Sequence, residues 1–108
     1  PGKLMLTAAL LAACGEPVTT ADWATLVAVP PAPAPPLPNA AIWLGGRDAA
    51  ANHRLGETVL DTLLMAHVGE HLTAEPDVIT EAVMRLRAVG LEADARRLAL
   101  EAALDAGL

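Results

Sequence analysis

The sequence has no phenylalanine and no tyrosine, and Trp23 and Trp43 are its only residues of the Phe, Trp and Tyr types. This scarcity leaves no stacking platform for nucleic-acid bases. Basic residues are also few, because 7 Lys and Arg stand against 13 Asp and Glu and give a net charge of -6. This charge would repel a polyphosphate backbone. Nucleic acid is therefore not expected as a partner.

Cysteine and long apolar runs are scarce as well. The single Cys14 excludes an internal disulfide framework and leaves the redox compartment open. The apolar run over residues 3–14 is shorter than the roughly 20 residues that a membrane-spanning helix needs. No membrane span is therefore predicted.

Good helix formers fill the chain, with Ala, Leu, Glu and Arg in place of the aromatic and β-branched residues that strands favour. We predict one all-α domain over residues 1–108, with about six helices in two to three stacked antiparallel helical hairpins, as in an α-α superhelix. Residues 30–38 hold six prolines in nine positions (PPAPAPPLP), which predicts an extended Pro-rich connector within the domain.

Caps and breakers predict three helices in the first half. Residues 3–14 are apolar almost all round, which indicates a buried helix with Gly15 as its C-terminal cap. Thr20 is expected to cap a short helix that runs towards Val29. Asn39 is expected to cap a third helix, which Gly45-Gly46 should weaken or end.

The second half predicts three amphipathic helices. Gly69 should end the first of these helices. Glu75-Pro76-Asp77 should begin the second helix, and Gly90 should end it. The last, over residues 92–106, has two apolar faces, so we expect neighbours on two sides. The expected core faces are Leu55, Val59, Leu60, Leu63, Leu64 and Val68 in the first helix; Ile79, Ala82, Val83, Leu86 and Val89 in the second; and Ala95, Leu98, Ala99 and Ala102, with Leu100 and Leu104 opposite, in the last.

An internal echo connects the two halves. Leu6, Leu10, Ala12, Gly15 and Glu16 match Leu60, Leu64, Ala66, Gly69 and Glu70 at a constant offset of 54, which predicts stacked helix pairs. The stretch 89–104 (VGLEADARRLALEAAL) resembles the tetratricopeptide-like α-solenoid class. The resemblance lies mainly within residues 52–108. The resemblance implies a protein-binding surface on a helical scaffold, without catalysis.

Two observations predict that the chain is incomplete alone. Helical repeats need about three copies to bury a continuous core, and this chain holds two at most. It also begins Pro1-Gly2, without an initiator Met. We expect a fragment or C-terminal piece of a longer protein, or a unit completed by self-association.

A metal-dependent hydrolase is one alternative function. Residues 67–71 (HVGEH) match the H-x-x-E-H zinc signature, in which two imidazoles bind the metal and the glutamate polarises water. The signature needs a continuous helix, whereas Gly69 stands where the preceding helix should end. Histidines at a helix C-terminus are favoured by the helix dipole in any case.

A lipid-anchored bacterial envelope protein is the other alternative. Leu11-Ala12-Ala13-Cys14 follows Lys3 and an apolar run, as in a lipoprotein signal whose cysteine is acylated. The internal echo explains the same residues as a core helix. Localisation stays open between the cytoplasm, which this explanation favours, and the envelope.

The remaining motifs have structural explanations. Gly45-Gly46-Arg47-Asp48 lacks the Lys-Ser/Thr of a phosphate loop, and Cys14 has no evident base beside it. We therefore assign no catalytic, cofactor-binding or metal-binding residue and no cofactor. The leading hypothesis is a noncatalytic helical module that binds a protein partner, or a second copy of itself, through an apolar or acidic face.

Overall fold

The computed structural model describes residues 2–28, 40–68, 70–73 and 75–108. Within these ranges the chain forms six α-helices and one small antiparallel hairpin, so the all-α prediction is confirmed. The Pro-rich connector 30–38, the predicted cap Asn39 and the predicted stop Gly69 lie outside the described residues. The elements are α1 (Gly2–Ala13), α2 (Thr20–Val27), α3 (Ala40–Ala51), α4 (Leu55–Ala66), β1 (His67–Val68), β2 (His71–Leu72), α5 (Pro76–Ala88) and α6 (Glu92–Asp105).

Helix α5 is the centre of the packing. Pro76 occupies its first turn and Asp77 complements its dipole, as the sequence predicts. Helices α1, α3, α4 and α6 all pack against α5, and antiparallel contacts join α3 with α4, α5 with α6 and α1 with α5. The predicted α5 face is buried apart from half-buried Val89, and the core consists of Leu6, Leu10, Ala13, Met65, Ala66, Val78, Ile79, Ala82, Val83, Leu86, Ala95, Ala99 and Ala102.

Four helices end in the same backbone motif, in which one residue with positive φ follows the last turn. Gly15 and Gly90 take this position after α1 and α5, as predicted, with φ of 90° and 85°. Gly107 takes it after α6, whereas α3 uses His53 with φ 54°. At each of these ends the amide of the residue after the positive-φ residue donates to the carbonyl five positions earlier. This hydrogen bond gives a partner to a carbonyl in the last turn that the helix itself leaves unpaired.

Helix α4 turns most of its predicted core face away from the core, although Val59 is partly buried and packs against the core as predicted. The large side chains of Leu55, Leu60, Leu63 and Leu64 are exposed. Its partners explain the orientation, since α3 presents Gly46, Ala49 and Ala50 at a close helix contact that has no room for leucine. The side chains that α4 buries are Thr58, Thr62, Met65 and Ala66.

Two predicted helix boundaries are also corrected. Helix α3 continues through Gly45 and Gly46 to Ala51, so the glycines do not end it. The cap of α2 is Thr19, one residue before the predicted Thr20: its Oγ1 accepts from the Asp22 amide at 3.1 Å, and Asp22 accepts from the Thr19 amide at 3.3 Å. This reciprocal pair satisfies two amides, which a cap at Thr20 would leave open.

Residues that the 54-residue offset pairs with each other differ in solvent exposure. Leu6 and Leu10 are 3% and 6% exposed, whereas their counterparts Leu60 and Leu64 are 60% and 56% exposed. Helix α1 packs on α5, and α4 packs on both α3 and α5. The structure therefore supports a six-helix all-α domain but does not reproduce the predicted equivalence of the two halves.

Candidate functional site

A buried arginine joins α3 to α5. Arg85 is 3% exposed, and its Nη2 donates to the main-chain carbonyl of Trp43 at 2.5 Å. Its Nε donates to Glu81 at 3.2 Å, one turn earlier on α5. The guanidinium fits because Gly46 has no side chain: a Cβ there would clash with Arg85. This contact explains why a glycine lies inside α3.

Arg47 extends the same network to the surface. Its Nε donates to Glu81 at 2.8 Å, and this hydrogen bond raises the pKa of Arg47. Trp43 lies near both guanidinium groups, 5.3 Å from that of Arg85 and 5.8 Å from that of Arg47. Residues 45–48 are thus part of helix α3, and their arginine is paired with an acid, so they do not form a phosphate-binding turn.

The H-x-x-E-H segment does not lie on a helix, because α4 ends at Ala66 and His67 and His71 belong to paired strands. His67 pairs with Leu72, and residues directly opposite in an antiparallel pair share a face. Since His71 precedes Leu72, the two imidazoles lie on opposite faces. Among the described residues no group of three or more His, Cys, Asp or Glu side chains is placed to hold a metal ion.

The segment that resembles a lipoprotein signal forms the end of α1. Leu10 and Ala13 are buried in the core, and Cys14 is half-buried. Arg87 of α5 donates through Nη1 to the carbonyl of Ala13 at 2.9 Å. These contacts make residues 11–14 part of the domain. In the part of the chain that the structure describes, no helix is long and apolar enough to cross a membrane.

A groove of about 370 Å³ lies between α4 and α6, above α5. Its walls are mostly apolar, with Val59 and Leu63 on α4 and Leu98 on α6, and Leu86 and Leu91 also contribute. Both α4 and α6 pack on α5, so the groove lies over the most central helix of the domain. We call this surface the α4–α6 groove.

Polar groups lie along the α6 side of this groove. Asp94, Arg97 and Glu101 line it there, and Arg97 is 3.9 Å from Asp94 at an exposed position where such a pair contributes little stability. The wall on α4 contains Thr62, whose buried Oγ1 has no hydrogen-bond partner within the described ranges. The groove therefore combines an apolar interior, a rim with excess negative charge and one unsatisfied hydroxyl.

Sequence reasoning found part of this surface. Both apolar faces predicted on α6 are present, and α6 contacts α5, α1 and β2. One face is largely buried, whereas Leu100 and Leu104 on the other are exposed, with no described element covering them. The groove was missed, because the leucines of α4 were expected to face inward.

Comparisons of this chain with protein families, with curated proteins and with solved structures found no match.

Proposed function

We propose that this chain is a noncatalytic helical module that binds an amphipathic helix of another protein in the α4–α6 groove. One observation carries the proposal: α4 packs on the domain through two threonines, Met65 and Ala66, and leaves Leu63 half exposed beside an apolar groove. Monomeric proteins seldom expose large apolar patches without a partner. The resemblance to tetratricopeptide-like scaffolds supports the same kind of function.

A helix is the ligand that the shape of this site favours. Two helices, α4 and α6, flank the groove, and a third, α5, lies beneath it. An amphipathic helix binds such a groove by placing residues three and four apart along an apolar floor. Leu86 and Leu98 form that floor. Covering the half-exposed side chain of Leu63 beside it would contribute about 1–2 kcal/mol.

The charges on the rim favour a basic partner. Asp94 and Glu101 outweigh Arg97 on the α6 side, and the chain as a whole carries a net charge of -6. Lysine or arginine beside the apolar stripe of the incoming helix would meet these carboxylates. Complementary charge of this kind speeds association and rejects acidic competitors.

The test uses two fluorescently labelled helical peptides of leucine and lysine or of leucine and glutamate, with identical apolar stripes. Fluorescence anisotropy should show saturable binding of the lysine peptide with a Kd on the order of 10–100 µM. The glutamate peptide should bind at least about tenfold more weakly. Equal binding of the two peptides, or no binding of the lysine peptide at about 1 mM, would contradict the proposal.

A matched pair of variants separates the groove from the general negative charge of the chain. Asp94→Lys with Glu101→Lys reverses the rim and should weaken binding of the lysine peptide at least about tenfold. Glu16→Lys with Asp105→Lys makes the same change of net charge at exposed residues that do not line the groove. This control should stay within about threefold of the wild type. Equal losses in both variants would show nonspecific attraction.

A further inference from the structure

The two walls of the α4–α6 groove differ in charge. The wall on α6 carries three exposed charged side chains, those of Asp94, Arg97 and Glu101. The wall on α4 is uncharged, and the residues that line it are Val59, Thr62, Leu63 and Ala66. A helix bound between these walls would therefore meet charged groups on one of its flanks only.

The three charged side chains of α6 form an ordered row along the groove. Their spacing of three and four residues places them on one face of the helix. The signs along this row are negative at Asp94, positive at Arg97 and negative at Glu101. The row extends about 10 Å along α6, which is two helical turns. A ligand helix that lies beside α6 would therefore place three successive positions of one face opposite these charges.

Arg97, at the centre of the row, keeps hydrogen-bond donors for a ligand. Its Nη1 lies 3.9 Å from Oδ1 of Asp94, which is longer than a hydrogen bond, and its side chain is 71% exposed. A pair of this kind contributes little stability, so rearranging it on binding costs little. The planar guanidinium presents a fork of N–H donors that suits a carboxylate. The centre of the row therefore favours an acidic residue of the ligand, between two positions that favour basic ones.

From this charge order and the uncharged opposite wall, we propose that the groove selects a partner helix with a basic, an acidic and a basic residue in that order on one flank of its apolar stripe. The acidic residue lies opposite Arg97, and the basic residues lie opposite Asp94 and Glu101. This inference rests on the proposed function and adds the charge order of the partner to it. Any other order places like charges opposite each other, and interfaces reject wrong partners by such repulsion.

Three isomeric helical peptides test this order. They share one leucine stripe and differ only in the order of three charged residues on one flank, which is Lys-Glu-Lys, Glu-Lys-Lys or Lys-Lys-Glu. Their net charges are equal, so general attraction to the acidic chain is the same for all three. The order Lys-Glu-Lys is the same from both ends, so its match does not depend on the direction of the bound helix. Fluorescence anisotropy should show that this peptide binds at least about threefold more tightly than either isomer.

Arg97→Glu isolates the central position. This variant should abolish the advantage of the Lys-Glu-Lys peptide, because the glutamate of the peptide then meets another glutamate. Arg96→Glu is the matched control, since it makes the same change of charge at a neighbouring exposed residue that does not line the groove. The control should keep the advantage. Equal binding of the three isomers to the wild type, or loss of the preference in both variants, would overturn the inference.

The peptide of leucine and lysine keeps this test separate from that of the proposed function. If that peptide binds while the three isomers bind equally or not at all, the groove accepts a basic helix and only the charge order is overturned. If neither that peptide nor any isomer binds, the proposed function and the charge order fail together.

Discussion

Gly46 of α3 lies directly against the guanidinium of Arg85 on α5, and no other residue type at position 46 would leave that space free. The arginine cannot move aside without loss, because it donates to the Trp43 carbonyl and to Glu81. Glycine has poor helix propensity, but at position 46 of α3 it allows the close contact with α5.

Neighbouring glycines should respond in opposite ways to alanine. Gly46→Ala should lower the free energy of unfolding by about 1–3 kcal/mol, because the new Cβ displaces a buried, hydrogen-bonded guanidinium. Gly45→Ala should raise it by about 0.5–1 kcal/mol, since Gly45 is exposed and its added Cβ meets no described atom within 4 Å. Urea denaturation of both variants gives the comparison. Equal stabilisation by the two alanines would contradict the contact.

Removing the buried arginine should be far more costly than removing a surface one. Arg85→Ala should lower the free energy of unfolding by about 2–3 kcal/mol, since it leaves a cavity and removes the hydrogen bonds to the Trp43 carbonyl and to Glu81, which keeps Arg47 as a partner. Arg96→Ala removes an exposed arginine that lies 3.6 Å from Glu92 and should cost less than about 0.5 kcal/mol. Thermal and urea unfolding measure both. Similar small losses would show that the network does not hold α3 on α5.

The two buried threonines of α4 form a natural pair for a third test. Thr58 donates to the Arg54 carbonyl at 2.7 Å, whereas the Thr62 hydroxyl has no partner within the described part of the chain. Thr62→Val should raise the free energy of unfolding by about 1 kcal/mol by removing an unsatisfied buried group. Thr58→Val should lower it by about 0.5–1 kcal/mol. The reverse order would mean that a bound water or another group satisfies Thr62.

The residues with positive φ at helix ends give a fourth prediction. His53 has a φ of 54°, a conformation that costs energy for any residue with a Cβ. His53→Gly should therefore raise the free energy of unfolding by about 1 kcal/mol. Gly90→Ala, at φ 85°, should lower it by about 1–2 kcal/mol. Melting temperatures that move in the same direction for both variants would contradict this account of the helix ends.

The all-α class, the first turn of α5 and the glycine caps after α1 and α5 could be predicted because they depend on local signals. Pro76 fixes the start of a helix, and Gly15 and Gly90 provide positive φ, whatever the rest of the chain does. The continuation of α3 through Gly46 could not be predicted in this way. It depends on Arg85, which is 39 positions away in sequence and approaches only in the folded domain (85 minus 46).

The orientation of α4 was predicted wrongly for a related reason. Periodicity finds an apolar stripe but does not say whether it faces the domain or a partner. The choice depends on α3, whose Ala49 and Ala50 admit only small side chains, so Thr58 and Thr62 face inward. The same misjudgement hid the α4–α6 groove, since its apolar wall is formed by residues that were assigned to the core.

A titration of the ¹⁵N-labelled chain with the lysine peptide, followed by amide chemical shifts, tests the proposed function most directly. The account predicts saturable shifts centred on Val59, Leu63 and Leu98, which line the groove. The amides of Leu44 and Val27 should not move, although their side chains are also exposed and apolar. Saturable shifts confined to the groove would support a helix-binding module. Shifts that are absent, or that are as large at Leu44 and Val27, would contradict it.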